Sequence, residues 1–260
     1  MTFEKIEVEQ VSDVGIIRLN QPSTLNAVTV QMIEELAVAV GELSGSSRAL
    51  LLTGAGKAFC SGADLSMPAT PTAAPFDAGA ALETHVNPLM TELASLPIPW
   101  ISAVNGAAVG IGCSLALAAD LTVASDSAYF LQAFTRIGLV PDGGSSWLLT
   151  RAIGRARAME MMLLAERISA LQALEWGLIN RVLPASQLQD GALALAKTLA
   201  SGPTRALSLV RQLGWLATDS GWKQTIAAER LAQREAGNTA DFLEGVRAFA
   251  EKRPPHFRGE

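Results

Sequence analysis

Residues 103–120 read Ala-Val-Asn-Gly-Ala-Ala-Val-Gly-Ile-Gly-Cys-Ser-Leu-Ala-Leu-Ala-Ala-Asp. The apolar run Trp100–Val104 leads into this stretch as a buried strand and stops at the turn pair Asn105-Gly106. A helix of small residues follows, roughly Gly112 to Ala119, and Leu121–Ala124 is a second strand. Strand, glycine turn, helix and strand in so short a span predict a βαβ unit and a largely parallel sheet. The fold class is therefore α/β. The small residues let a helix approach the sheet closely.

The segments on either side repeat the pattern. Upstream, Ile6–Glu9 and Gly15–Leu19 predict a hairpin about Ser12-Asp13. From Val30, the positions Ile33, Leu36, Ala37, Val40 and Leu43 have helical spacing. Arg48–Thr53 is another buried strand, followed by the loop Gly54–Gly62. Met67–Phe76 holds several prolines and reads as a low-complexity surface loop. A helix is expected from about Gly79 to Leu96. Downstream of Arg151 the signal is mostly helical. Ser169-x-x-Gln172 and Ser186-x-x-Gln189 both fit capping boxes, with a short strand, Ile179–Leu183, between them. Past Pro203 three helices are expected, the last with Phe242, Val246 and Phe249 on one face.

The chain has 260 residues, 49% hydrophobic and 5% aromatic, so its core must rest on Ala, Leu, Ile and Val. A net charge of −5 argues against nucleic acid as a partner, which would need a clustered basic face. Cys60 and Cys113 lie in apolar or glycine-rich surroundings and read as buried free thiols. The first ten residues have neither the apolar core of a signal peptide nor a basic presequence. The apolar stretch Val104–Ala119 is too short and too interrupted by polar residues to span a bilayer. These features predict a cytoplasmic protein with no membrane partner.

Two loops carry the candidate chemistry, Gly54–Leu65 and Asn105–Ser114. Each follows a strand and is expected to open a helix. A helix N-terminus leaves backbone N–H groups unpaired, and glycine lets a ligand approach them. Two such loops face to face present two donors to one oxygen, which is an oxyanion hole. The alternative for each loop is a tight turn with no ligand. Gly106, Gly110 and Gly112 do not have dinucleotide-binding spacing, and no phosphate-loop lysine follows. No Cys/His/Asp cluster has metal-ligand spacing. His85 and His256 support no triad. Ser114 does not sit in a nucleophile elbow. It reads first as a packing residue and second as a hydrogen-bonding one. Asp142 lies in Pro141-Asp-Gly-Gly144, which by residue type is turn chemistry.

Taken together, AFCSGADL (58–65), AVNGAAVGIGCSLALAAD (103–120), IGLVPDGGSSWLL (137–149), RISALQALEWGLINRV (167–182) and AFAEKRPPHF (248–257) resemble the enoyl-CoA hydratase/isomerase (crotonase) superfamily. The blocks follow the family's order and spacing over nearly the whole chain. The pattern is most similar to the enoyl-CoA isomerases of phenylacetate degradation.

The resemblance implies a ββα spiral core over residues 1–200 holding an acyl-CoA site. It implies a helical C-terminal trimerisation region over 201–260, and a homotrimer or dimer of trimers. Coenzyme A arrives as part of the substrate, so no separate cofactor is implied. The oxyanion donors fall on the N–H groups of Ala63 and Ile111. Leu25 and Ala27 fall in the loop that helps hold coenzyme A. Ala58, Phe59, Asp64, Leu65, Gly110 and Phe134 fall around the substrate. Lys57, Lys252 and Arg253 are candidate phosphate partners, or ordinary solvated cations.

Ser114 and Phe134 stand where the family's hydratases carry two glutamates. Adding water needs a base for the water and an acid for the carbon, and neither residue supplies one. Asp142 stands where the similar isomerases carry an acid/base. An enoyl-CoA isomerase that moves a proton through an enolate is therefore the first expectation. A hydratase or other lyase-type reaction using Ser114 and Asp142, and a non-catalytic acyl-CoA binder, are the alternatives. An aryl-CoA dehalogenase is a minor one, because Asn87 stands where that group has a histidine and His85 is two residues away.

Overall fold

The computed structural model describes residues 3–65 and 77–260, so the proline-bearing stretch 67–76 lies outside the described residues. The chain opens with the expected hairpin. β1 (Ile6–Val11) and β2 (Val14–Leu19) pair antiparallel, with Val11 opposite Val14. Next come α1 (Val30–Ser46), β3 (Ala49–Gly54) and β4 (Ala58–Cys60). Thr29 caps α1, its Oγ1 accepting from the Met32 N–H at 3.1 Å. A π-helical turn, Leu82–Val86, runs into α2 (Asn87–Ser95). Then follow β5 (Trp100–Val104), β6 (Ala107–Val109), α3 (Ile111–Leu117), β7 (Leu121–Ser125), β8 (Tyr129–Leu131), α4 (Ser145–Ala152) and α5 (Gly154–Leu164). The chain ends through β9 (Ile168–Ser169), α6 (Ala170–Glu175), β10 (Arg181–Leu183), α7 (Leu188–Ala200), α8 (Thr204–Ala217), α9 (Trp222–Ala236) and α10 (Ala240–Glu251).

The main sheet runs β1-β2-β3-β5-β7-β10 and is parallel from β2 onward. Alternation along its strands feeds two cores. Leu50 and Leu52 of β3 face the larger core with α1, α2 and Trp100. Ala49 and Leu51 face α7, whose Leu188, Ala192, Ala196 and Ala200 recur every four residues on one face.

A second sheet, β4-β6-β8-β9, is a correction to the sequence expectation. Residues 58–60 and 107–109 read as parts of loops because strands of two or three residues carry no periodicity of their own. They form through register with one another, Ala58 and Cys60 opposite Ala107 and Ala108, and Ala107–Val109 opposite Tyr129–Leu131. The second capping box is also corrected. Ser169 Oγ does accept from the Gln172 N–H at 3.2 Å. Ser186, however, lies in a 3-10 turn, and α7 starts at Leu188 without a side-chain cap.

The three C-terminal helices form as expected. Trp222 is 78% exposed and Phe249 is 87% exposed, and Phe242 and Val246 are also exposed. These side chains are not part of the chain's own core. α9 buries none of its residues.

Candidate active site

β4 and β6 bring the two glycine-bearing loops together. Gly106 sits so near the first loop that an added Cβ would come 2.1 Å from the Lys57 carbonyl oxygen. A Cβ at Gly110, where φ is +53°, would lie 3.8 Å from Gly62 Cα, and one at Gly62, where φ is +103°, 3.2 Å from the Val109 carbonyl. Gly62 needs glycine for φ as well as for space, whereas at Gly110 φ alone favours it.

The two proposed donors are aimed by different means. Ala63 bridges to Val28 in parallel fashion. Val28 N–H donates to Gly62 O at 2.8 Å and Asp64 N–H donates to Val28 O at 2.9 Å. Those bonds use the residues flanking Ala63, which turns the Ala63 N–H away from Val28. Ile111 is the first residue of α3, so its N–H has no acceptor inside the helix. Among the described residues, neither N–H donates to a protein oxygen. α3 follows the second loop as expected, while the stretch after the first, 66–76, lies outside the described residues, and within the described part a strand bridge orients Ala63.

Sequence reasoning passed over what holds the first loop, Asn26. Asn26 is fully buried in the left-handed region at φ 57°. Its Oδ1 accepts from the Gln21 N–H at 2.9 Å, and its Nδ2 donates to Ala55 O at 2.9 Å and Ala58 O at 2.8 Å, with Phe59 O at 3.2 Å. An asparagine just after the turn-forming run Gln21-Pro-Ser-Thr24 is the one sequence signal that pointed there. Its neighbours Leu25 and Ala27 differ, the first exposed and the second buried. Ala58 and Phe59 are buried, 1% and 0% exposed, with their side chains in the core. Lys57 and Leu65 are exposed beside the site, and Asp64 is half-buried. Lys252 and Arg253 lie at the far end of α10. Arg253 is already paired, at 2.6 and 3.0 Å from Glu244 and 2.6 Å from Glu251. No hydrogen bond or ion pair among the described residues joins either cation to the two loops.

The Pro141–Gly144 turn packs on the same end of α3. A Cβ at Gly143, where φ is +57°, would meet Ile111 Cδ1 at 2.5 Å and Ser114 Cβ at 3.0 Å. Ile111 and Ser114 are one turn apart on a single helix face. Asp142 is therefore held beside the α3 N-terminus. Its carboxyl is half-buried, with Oδ1 shut away from solvent and without a hydrogen-bond partner among the described residues. That burial pushes the carboxyl up to about 6, because nothing compensates the desolvated charge. The Asp142 carbonyl oxygen is well satisfied by contrast. It accepts from Ser114 Oγ at 2.9 Å, Ser145 Oγ at 3.0 Å and the Ser145 N–H at 3.1 Å. The two serine hydroxyls also contact each other. Phe134 is buried, its Cζ 3.7 Å from where a Cβ would stand on Gly110.

Beyond Gly143 and Gly144 a cleft of about 310 Å³ opens, lined by Asn87, Met90 and Thr91 of α2 and by Trp147 and Trp215. His85 is turned elsewhere, its Nε2 3.3 Å from Glu34 and its Nδ1 2.7 Å from the Thr84 hydroxyl. It does not stand in for the histidine of the dehalogenase alternative. No group of three or more His, Cys, Asp or Glu residues is placed to hold a metal among the described residues.

A family described as Enoyl-CoA hydratase/isomerase matches residues 9–260. The chain is 43% identical to a probable enoyl-CoA hydratase of Rhodobacter capsulatus over all of both chains. It is 44% identical to the 1,2-epoxyphenylacetyl-CoA isomerase of Escherichia coli over 94% of each. Among solved structures, an enoyl-CoA hydratase subunit of Geobacillus kaustophilus superposes with a TM-score of 0.92 at 36% identity, over 99% of each chain. A putative enoyl-CoA hydratase of Streptomyces coelicolor superposes with a TM-score of 0.93 at 32% identity, over 100% of this chain and 96% of the other.

Proposed function

The chain belongs to the enoyl-CoA hydratase/isomerase family, with its crotonase fold, and from that premise we propose that it is an acyl-CoA isomerase whose acid/base is Asp142. The observation that carries this reading is the Asp142 carboxyl, desolvated and uncompensated at the α3 N-terminus, where Ser114 and Phe134 bring no ionisable group. A carboxyl poised near 6 accepts and returns a proton close to neutral pH.

In the proposed reaction the thioester carbonyl of an enoyl-CoA accepts hydrogen bonds from the Ala63 and Ile111 N–H groups. The Asp142 carboxylate removes a proton from a carbon next to the conjugated system. The C–H bond breaks, an O–H bond forms, and the electron pair moves onto the thioester oxygen as a dienolate. The same carboxyl then delivers the proton to another carbon, the double bond shifts, and the carboxylate is regenerated. No water is consumed. Each oxyanion donor is worth about 3 kcal/mol of transition-state stabilisation in such sites. Coenzyme A enters and leaves as part of the substrate. The exposed apolar face of α9 and α10 fits contact between subunits, and a homotrimer or dimer of trimers is the assembly inferred.

The relative named 1,2-epoxyphenylacetyl-CoA isomerase favours an isomerase. The relative named probable enoyl-CoA hydratase keeps hydration as a second reading. Incubation of 3-enoyl-CoA and 2-enoyl-CoA substrates in D2O separates them. An isomerase shifts the double bond, with deuterium entering only as far as the Asp142 proton exchanges before its return, and Asp142→Asn loses at least about 100-fold of the shift rate. Hydration of crotonyl-CoA at ordinary enzyme rates, or full isomerase activity in Asp142→Asn, overturns the proposal.

A further inference from the structure

Three donors converge on the main-chain carbonyl of Asp142: the hydroxyls of Ser114 and Ser145 and the Ser145 N–H. Both serines are 0–1% exposed, and they come from different elements, α3 and α4. With one proton each, both hydroxyls can donate to the carbonyl, or one can donate to it and the other to its partner's oxygen; Gly110 O, at 3.3 Å, is the longer alternative acceptor for Ser114. Either way the turn carrying Asp142 is tied to the helix that carries the Ile111 N–H. The tie is short in sequence terms on both sides, three residues from Ile111 and three from Asp142.

We propose that Ser114 and Ser145 are positioning residues, a hydroxyl clamp that sets where the Asp142 carboxyl stands relative to the Ile111 N–H. This rests on the reading of Asp142 as the acid/base. The clamp does a second thing. Gly143 fills the space against Ser114 so closely that a methyl there would lie 3.0 Å from Ser114 Cβ. The contact holds the Asp142 turn close against α3. A carboxylate at position 114 would take the place of the hydroxyl that donates to the Asp142 carbonyl, so the clamp and a second, water-handling carboxylate cannot share that position.

The test compares Ser114→Ala and Ser145→Ala with Ser146→Ala, which removes an exposed hydroxyl of α4 that makes no bond to Asp142. Two quantities are read. One is the isomerase kcat and KM with their pH profiles. The other is the titration of the Asp142 carboxyl by carbon-13 NMR in the ligand-free enzyme. With the clamp released the carboxyl gains water, so its midpoint moves down from about 6 toward the ordinary aspartate range. The acidic limb of kcat/KM moves with it, kcat falls about tenfold, and KM changes less than twofold. Ser146→Ala changes none of these. The proposal is overturned if both clamp variants titrate as the parent does, including where kcat falls merely with loss of folded protein. If Ser114→Ala does not fold, Ser145→Ala carries the same measurement. Failure of the isomerase reading shows elsewhere, as an active Asp142→Asn, while the NMR titration still tests the clamp.

Discussion

Gly112 of α3 packs against Cys60 of β4 so tightly that an added Cβ would lie 2.5 Å from both Cys60 Cβ and Sγ, and 2.8 Å from its carbonyl oxygen. Each of the two residues lies on the segment of a proposed oxyanion donor, Gly112 directly after Ile111 and Cys60 three before Ala63. The contact sets the separation of the two loops. Because one of these atoms is the Cys60 carbonyl oxygen, no side-chain rotation relieves a larger residue.

Gly112→Ala is therefore expected to push α3 off β4. The cost of overpacking is about 1–3 kcal/mol of stability. Activity falls further than stability, because an oxyanion hole loses its value when a donor moves by a fraction of an ångström. Thermal unfolding and kcat on one preparation check this, and Cys60→Ala in the same background restores part of both if the contact is the cause.

Both thiols should be silent in the folded protein. Cys60 and Cys113 are fully buried, and burial pushes each thiol up to about 12, so almost no thiolate exists at pH 8. A chromogenic disulfide reagent is expected to titrate neither thiol natively and both in guanidinium chloride. Rapid native reaction at either site contradicts the packing described.

The pH dependence of activity follows from Asp142. Its carboxyl must be ionised to take the substrate proton, so kcat/KM rises with pH through about 6 and levels above it. Stability runs the other way. A carboxyl whose midpoint is raised on folding favours the native state below the unfolded midpoint, and that benefit is lost as pH rises through about 6. Asp142→Asn should thus be more stable than the parent at pH 7, by about 1 kcal/mol after screening by water is allowed for, and equally stable near pH 3.5. Denaturant titrations at the two pH values decide it.

Asn26 is expected to be the costliest single polar residue of the first loop. Asn26→Ala strips donors from buried carbonyls and places alanine at φ 57°, for a loss of about 3 kcal/mol. Asn26→Asp should be worse at pH 7, since a carboxylate would face the Ala55 and Ala58 carbonyl oxygens, and should recover as the pH falls and the group is protonated. Equal stability of the two variants across pH would contradict the hydrogen-bond assignment.

Arg211 joins the C-terminal helices to the sheet. It is 6% exposed, with Nε 2.5 Å from Asp120 Oδ2, Nη2 3.0 Å from Leu93 O, and Nη1 on Leu96 O. Asp120 also accepts from the Trp100 N–H at 2.8 Å. Burial already raises the Asp120 carboxyl despite the opposing arginine. Arg211→Ala leaves that charge unpaired and should cost about 3–5 kcal/mol at pH 7. The deficit shrinks at acidic pH as Asp120 protonates, a trend that simple loss of packing would not show in Tm.

Much of this was readable in order along the chain. Long periodic segments declared themselves, including α1, β3, β5 and the three terminal helices, because their apolar spacing is a local property. The Thr29 and Ser169 caps differ from Ser186 in one respect. The first two have a helix starting directly after them, whereas Ser186 lies inside a 3-10 turn and α7 begins only at Leu188. The two- and three-residue strands of the second sheet were not readable, since nothing in residues 58–60 or 107–109 distinguishes them from loop until they pair.

The residues alone determined an α/β chain with two glycine-bearing loops, no dinucleotide or phosphate-loop motif and buried thiols, and the block pattern pointed to the family. They also supplied Asp142 while leaving positions 114 and 134 without an ionisable group, and that chemistry is a matter of residue type. The tertiary structure decided the rest. It oriented Ala63 by a bridge to Val28, buried Ala58 and Phe59 in the core, occupied Arg253 with Glu244 and Glu251, and set Ser114 on the Asp142 carbonyl. Hydrogen-bond direction and desolvation depend on which distant segments pack together. A carboxyl in a Pro-Asp-Gly-Gly turn is an ordinary aspartate until α3 and α4 close around it.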